Sequence, residues 1–342
     1  MIHYLVLSFI DVQGANAIAG FTWGFPAITQ FLGFTHALER NWNDQFSEVY
    51  KIKALGCAVV ANATEQRVFK NRQNLEFLQS KRTPTFDKDK SSSPPIIEEG
   101  KMNMTVSLII EVEGNLPTRS TEIMDFEKKL IDLCYTMRLA GGVIQKINNL
   151  KLISSNIMTD QRKVLKTIKN LVMPGFVLKD RRDYLIEHYE NLQKENEDVE
   201  LLDAWLDFSA LKYKAEKIED NNSLKENKAQ WSYIPKPNKG YLVPLMVGYK
   251  SISELYEAGE VEDVRDMEVP SRFVEAVHTI GEWLGAHRIQ NIVEYIWRYQ
   301  YLDDHWYLCQ QEKTSLIVNT ENQNDIFSDD EELSLEQAIN LL

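Results

Sequence analysis

The run KMNMTVSLIIEVE (residues 101–113) alternates well enough to predict a long strand, which Gly114, Asn115 and Pro117 end. Residues 120–137 follow with Ile123, Phe126, Leu130, Leu133 and Met137 at helical spacing, and this predicted helix runs into Gly141 and Gly142. The N-terminal part has the same plan. HYLVLSFI (3–10) reads as a buried strand. Residues 26–40 read as a helix with Pro26 in its first turn and Ile28, Phe31, Leu32, Thr35 and Leu38 on one side, and ALGCAVVAN (54–62) reads as a second strand. Strand, helix, strand, long excursion, strand, helix, glycine turn is the order of a split βαβ unit. It predicts an α+β protein with a ferredoxin-like, RRM-type body.

Two excursions interrupt that order. Residues 67–97 are basic and polar, with KRTP and then DKDKSSSPP, and should protrude as an arm. Residues 160–228 read as helical from Val164, Ile168, Leu171, Tyr184, Leu185, Tyr189 and Leu192, broken at Met173, Pro174 and Gly175. A linker over 226–239 leads to a strand at 241–249. A last helical stretch is predicted over 272–300 from Phe273, Val277, Ile280, Trp283 and Leu284. The expected organisation is a core over 1–150 with a thumb-like insertion at about 64–98, a helical insertion and linker over 151–239, a strand and helix completing the core over 240–310, and an acidic tail over 311–342. The tail's last residues, from Leu333 to Leu342, fit a short amphipathic helix.

With 342 residues, 44% hydrophobic and 26% charged, the chain reads as globular. The apolar start is too short for a membrane span, and no small-residue cleavage site follows it, so a membrane partner is not expected. Cys57, Cys134 and Cys309 are far apart and form neither a zinc signature nor a disulfide framework, which points to a reducing cytoplasm.

The net charge of −13 opposes a polyphosphate partner, because phosphate binding depends on Lys and Arg displacing counterions. The charge is unevenly distributed. Residues 136–182 carry ten basic against two acidic side chains, and residues 66–90 carry seven against three. Acid dominates residues 183–230, with six basic and thirteen acidic, and residues 301–342, with one and ten. A basic face for RNA is compatible with such blocks, as are plain solvated helix faces.

Two motifs carry candidate binding chemistry. GANAIAGFTWGFP (14–26) places Asn16, Ala17, Trp23, Gly24 and Phe25 after the first strand. Glycine lets backbone approach a ligand, Asn16 can read base edges, and Trp23 or Phe25 can stack on a base; a tight turn whose Trp caps the core is the other reading. MRLAGGVI (137–144) brings Arg138 next to Gly141 and Gly142, where a guanidinium and glycine amides can share a phosphate, or where a helix simply stops. Neither is a nucleotide-cofactor loop, and no cofactor is expected. His36, His278 and His287 are candidate general bases, but no GxSxG or HExxH signature accompanies them. Glu98 with Glu99 and Asp303 with Asp304 are sequence neighbours that point to different sides, so neither pair builds a metal cage. No catalytic or metal site is therefore expected.

Six strings resemble a known family when taken together and in order: ANAIAGFTWGFPAITQFLGFTHALER (15–40), IIEEGKMNMTVSLIIEVEG (96–114), MRLAGGVI, MPGFVL (173–178), GYLVPLMVGYKSIS (240–253) and EVPSRFVEAVHTIGEWLGAHR (268–288). The chain resembles the second-subunit family (Cas-five group, RAMP superfamily) of type I-F CRISPR surveillance complexes. The resemblance implies a non-catalytic scaffold with a ferredoxin-like body and an inserted thumb. It implies that the protein holds the 5′ handle of CRISPR RNA, pairs with the large subunit and touches the terminal backbone subunit, meeting target DNA only through the complex. RNA contact carries over to Asn16, Ala17, Trp23, Gly24, Phe25, Arg138, Gly141 and Gly142, with Arg272 and Arg288 as further positions. The rival readings are a repeat-RNA endonuclease using His36, Tyr135 or His287, and an adaptor that contacts protein alone.

Overall fold

The computed structural model describes residues 2–71, 74–77, 100–154, 160–217, 229–264, 266–302 and 305–312. In chain order it contains β1 (Ile2–Asn16), a small hairpin of β2 (Ile18–Ala19) and β3 (Thr22–Trp23), α1 (Ile28–Phe46), β4 (Ile52–Gln66), a second hairpin of β5 (Val68–Asn71) and β6 (Asn74–Phe77), and β7 (Lys101–Gly114). Next come α2 (Ser120–Tyr135), β8 (Arg138–Leu139), β9 (Gly142–Ser154), α3 (Gln161–Val172), β10 (Phe176–Asp180), α4 (Arg182–Glu195) and α5 (Leu201–Ser209). A hairpin of β11 (Lys212–Lys217) and β12 (Ala229–Ile234) precedes β13 (Leu242–Ser251), β14 (Val274–Gly285), two 3-10 turns, β15 (Trp297–Leu302) and β16 (Trp306–Gln311).

The result is a mixed α/β protein with one large antiparallel sheet and, among the described residues, five α-helices. Side by side in the sheet lie β4, β7, β1 and β9, with α1 crossing from β1 to β4 and α2 from β7 towards β9. β10 pairs with both β14 and β4, so β4, β10, β14, β13, β16 and β15 close into a ring.

Alternation along β1 decides which side chain meets which layer. Leu5 and Leu7 join Phe31 and Leu32 of α1 and Phe126 and Leu130 of α2, while Val6 joins Ile168 and Val172 of α3 on the opposite face. Bulges after Leu7 and after Val12 shift the period, so Ile10, Val12 and Ala15 stay on the α1/α2 face. Phe9, at φ 49°, sits in the first bulge. Its amide donates to Ser107 Oγ (2.9 Å), which donates to Asn62 Oδ1 (2.7 Å), and Asn62 Nδ2 donates to the carbonyls of Val172 and Pro174. This chain of bonds ties the sheet to the end of α3.

Helix α1 forms because Ile28, Phe31, Leu32, Thr35, Leu38 and Trp42 recur at helical spacing and are all buried. Trp42 meets Phe126 of α2 edge-on at 4.7 Å and donates Nε1–H to the carbonyl of Tyr50 (2.8 Å), so the ring packs and its polar atom is satisfied. Each such buried side chain contributes roughly 1.5–3 kcal/mol relative to exposure.

Three expectations need correction. The helix expected over 272–300 is β14, two 3-10 turns and β15. Thr279, Ile280, Gly281, Glu282 and Trp283 are consecutive and all buried, because the strand is covered on both faces; its burial therefore shows no period of two, and the apolar positions matched a helix instead. The described part of the helical run expected over 160–228 is three helices and two strands, with β10 inserted as a sheet strand between α3 and α4 and β11 following α5, while 218–228 lie outside the described residues. The linker expected over 226–239 contains β12. Within the expected thumb, 64–66 end β4 and 68–77 hold the β5–β6 hairpin, while 78–99, including Glu98 and Glu99, lie outside the described residues. Asp303, Asp304 and the acidic tail from 313 onward, with its terminal helix, also lie outside them.

Candidate nucleic-acid interface

Arg138 and Leu139 pair with Val143 and Gly142 across a two-residue turn, Ala140 and Gly141, whose φ values of 49° and 74° are both positive. Positive φ at both central residues is the tight hairpin geometry that matches strand twist. The amide of Asn16 donates to the carbonyl of Ala140 at 2.8 Å, fastening the end of β1 to this turn. The two separate sequence motifs therefore form one structure.

Around that joint the expected residues divide by exposure. Arg138 and Gly141 are exposed, and the Arg138 guanidinium donates only weakly to the Gly141 carbonyl, at 3.4 Å. Gly142 is buried: a Cβ there would come within 2.6 Å of Val12 Cγ1 and 2.8 Å of the Ala15 nitrogen, so the glycine serves close packing of β9 on β1. Ala17 is fully buried, its amide donating to Gly100 and its carbonyl accepting from Gly24, so its side chain faces packing and not solvent. Asn16 turns its side chain back on the chain, accepting from the Ile18 amide and donating to the Ile18 carbonyl.

The expected stacking rings face inward. Trp23 is half-buried, edge-on to Phe77 at 5.2 Å and pressed against Gly100, where a Cβ would come within 2.8 Å of the indole. Phe25 stacks on Phe31 at 5.5 Å and meets Trp283 edge-on at 4.9 Å. Both line a cavity of about 390 Å³ between β4, β10, β13 and β14. Of the two further arginines, Arg272 is half-buried before β14 and Arg288 is exposed on the 3-10 turn after it. In the sheet, β10, β4, β7 and β1 separate that strand from β8 and β9.

A group of residues that sequence reasoning missed lies on the sheet face beside α3. Beyond the apolar half that α3 covers, this face carries Asp11 and Gln13 of β1, Asn103 and Thr105 of β7, and Lys146 of β9. Gln145 Nε2 donates to Gln13 Oε1 (3.1 Å), Arg67 Nη2 donates to Asn103 Oδ1 (3.2 Å), and Asn103 Nδ2 donates to Glu65 Oε2 (3.1 Å). The signal was the polar half of each strand's alternation, as in MNMT and IQKIN, which went unused because only the apolar half was being matched to a core.

The basic block of 136–182 is partly consumed in structure. Lys151 pairs with Glu127 (2.8 Å), Lys179 with Glu294 (3.6 Å), Arg181 with Glu282 and Arg182 with Asp180 (both 2.5 Å), and Lys169 donates to the His287 carbonyl. Burial holds the Lys169 ammonium below its ordinary pKa. Arg138, Lys146, Arg162, Lys163 and Lys166 are exposed.

The candidate catalytic groups do not converge. His36 is exposed on α1, while His287 lies across the sheet on the turn packed against α3, and Tyr135 accepts the Ile147 amide through its hydroxyl (3.0 Å). The three cysteines are buried, and burial pushes the thiols of Cys134 and Cys309 up to about 12. Among the described residues no group of three or more His, Cys, Asp or Glu side chains could hold a metal ion. No described helix is long and apolar enough to cross a membrane.

A family model described as CRISPR-associated protein (Cas_Csy2) matches residues 5–309. The chain belongs to that family. It is also 30% identical, over 308 residues, to the CRISPR-associated protein Csy2 of Pseudomonas aeruginosa (strain UCBPP-PA14), a match covering 86% of this chain and 90% of the relative. The matched span runs from β1 into β16 and includes both motifs joined at Asn16 and Ala140. Membership of a CRISPR-associated family with these motifs inside the match agrees with the resemblance read from the sequence.

Proposed function

We propose that this protein is a non-catalytic RNA-holding subunit of a type I-F CRISPR surveillance complex, gripping the single-stranded 5′ handle of CRISPR RNA. The observation that carries this reading is the Asn16–Ala140 bond, which presents Arg138 and the open Gly141 beside the polar half of the sheet. Arg138, Lys146 and Arg67 supply charge for phosphates, and Gln13, Asn103 and Gln145 supply amides for sugar hydroxyls and base edges. An acidic chain can hold RNA in this way because long-range repulsion is screened beyond about 8 Å at physiological salt, whereas direct pairs are not.

The strand order β4-β7-β1-β9 with two crossing helices supports a ferredoxin-like body. Partner contacts fit elsewhere. The β11–β12 hairpin exposes Tyr213, Trp231 and Tyr233 on one face, next to acidic α4 and α5, and aromatic residues of this kind anchor protein interfaces. This surface suits the large subunit. The terminal backbone subunit is a further expected partner, and target DNA is met only through the assembly in the cytoplasm.

The test is incubation of the purified chain with labelled repeat RNA, followed by ultraviolet crosslinking. The expected result is uncut RNA crosslinked to residues 13–25 and 138–146. A discrete metal-independent cut contradicts the scaffold reading, and partner binding that survives nuclease with no crosslink at these residues favours the protein-only adaptor.

A further inference from the structure

The RNA-holding reading leaves the cavity behind the Trp23 loop unused. Its volume of about 390 Å³ lies near the low end of small-molecule pockets, which run from roughly 300 to 1,000 Å³. Rings of Trp23, Phe25, Phe77, Phe176, Tyr241 and Trp283 form much of its wall, and among the described residues no Asp, Glu, Lys, Arg or His lines it. A phosphate or any other ion would lose its hydration there without a counter-charge. An uncharged flat ring would keep its stacking contacts and meet a few polar groups.

Those polar groups are placed for a heterocycle. Gln66 at the end of β4 and Tyr241 just before β13 line the cavity, whereas the Thr22 hydroxyl donates to the Ala19 carbonyl (3.0 Å) and the Asn62 amide is committed to the carbonyls of Val172 and Pro174. A wholly aliphatic occupant would cover these groups without replacing their hydrogen bonds to water.

Two chain segments connect the cavity wall to the RNA-holding surface. Trp23 and Phe25 follow closely on Asn16, the last residue of β1, whose amide is bonded to Ala140. On the other side, Gln66 and Val68 face the cavity while Arg67, between them, bonds Asn103 on the polar sheet face. A guanidinium for backbone phosphate and an amide for a base edge are thus adjacent residues where β4 gives way to β5.

Building on the RNA-holding reading, we propose that this cavity takes one unstacked nucleobase of the bound single strand, enclosed by the aromatic wall and read at its edge by Gln66.

The test is an abasic scan. Single-stranded handle RNAs, each lacking one base, are titrated against the full-length protein and against Val68→Trp, which fills the cavity from its rim. The wild type should lose about 5- to 150-fold in affinity at one position and little elsewhere, the factor expected for one stacked base. Val68→Trp should bind intact RNA more weakly by a similar factor and lose sensitivity at that position. Gln66→Leu, which keeps the packing, should bind but discriminate less between bases there, and it carries the test if Val68→Trp does not fold. A flat scan of wild type, or a Val68→Trp profile identical to wild type, overturns the cavity assignment while leaving RNA holding intact. Loss of partner protein binding in Val68→Trp, with an unchanged RNA profile, assigns the cavity to a protein side chain and also overturns it. A wild type that binds no RNA defeats the RNA-holding reading and this inference with it.

Discussion

The Asn16 amide and the Ala140 carbonyl, 124 residues apart in sequence, are joined by a 2.8 Å hydrogen bond, and directly after Ala140 stand one glycine left open and one required by packing. Gly142 is wedged against β1, whereas a Cβ at Gly141 would meet nothing within 4 Å. Gly142→Ala is therefore expected to cost about 1–3 kcal/mol of unfolding free energy through overpacking. Gly141→Ala should cost about 1–2 kcal/mol, from its φ of 74° alone. Urea denaturation reads both losses, and amide hydrogen exchange separates the two variants, because only Gly142→Ala should disturb exchange in β1 and β9.

Arg298 and Glu111 form the pair on which the inner side of the sheet depends. Glu111 is 1% exposed and Arg298 19%, with Nη2 and Oε2 2.5 Å apart. Arg298→Ala strands a buried carboxylate and should destabilise by about 3–5 kcal/mol. Combining it with Glu111→Leu should recover most of that loss. Thermal melts of the two variants check this, and equal destabilisation of single and double variants contradicts it.

His278 makes stability depend on mildly acid pH. Its Nε2 accepts the Phe21 amide at 3.3 Å and its ring stacks on Phe21 at 5.1 Å, so the bond needs the neutral imidazole. Burial holds its pKa below the ordinary 6.5, and the same cause acts on His3. As pH falls below about 6.5 the unfolded chain takes up these protons first, so the native state loses stability until its own lower pKa values are passed. Melting temperature should drop between pH 7.5 and 5.5, and drop less in His278→Gln.

Trp23 contributes to packing as well as to the cavity wall. Pressed against Gly100 and edge-on to Phe77, it should cost about 2 kcal/mol or more on truncation to Ala, below the 3–5 kcal/mol of a fully buried Trp. Trp23→Ala is therefore expected to lower both melting temperature and RNA affinity, which melts and RNA titration of the variant check. Phe21, 85% exposed, is the ring of that loop which does face solvent.

The core around α1, α2 and β7 was legible because Phe31 and Leu38 lie on one buried helical stripe, Phe126 and Leu130 on another, and Lys101 to Gly114 forms one long strand. Strand β14 was not, since Ile280 packs on α4 and α5 while Trp283 packs on Phe25, and burial on both faces erases the alternation that marks a strand. At the site, Arg138 and Gly141 could be read from a basic residue beside paired glycines. Gln13, Asn103 and Arg67 could not, because each is an ordinary polar residue until three distant strands are laid side by side. Trp23 and Phe25 were found as a motif with two readings open, stacking on a base or capping the core, because no local pattern specifies which side of the loop the rings take.

The central claim is that Arg138 grips RNA at a turn which does not depend on it for folding. The most direct measurement is filter binding of single-stranded handle RNA by wild type and Arg138→Glu across 50–200 mM salt, alongside a melt of each protein. The account predicts an unchanged melting temperature, weaker binding at every salt, and a salt dependence shallower by roughly one counterion for the lost phosphate contact. Equal affinities and equal slopes for the two proteins would contradict it.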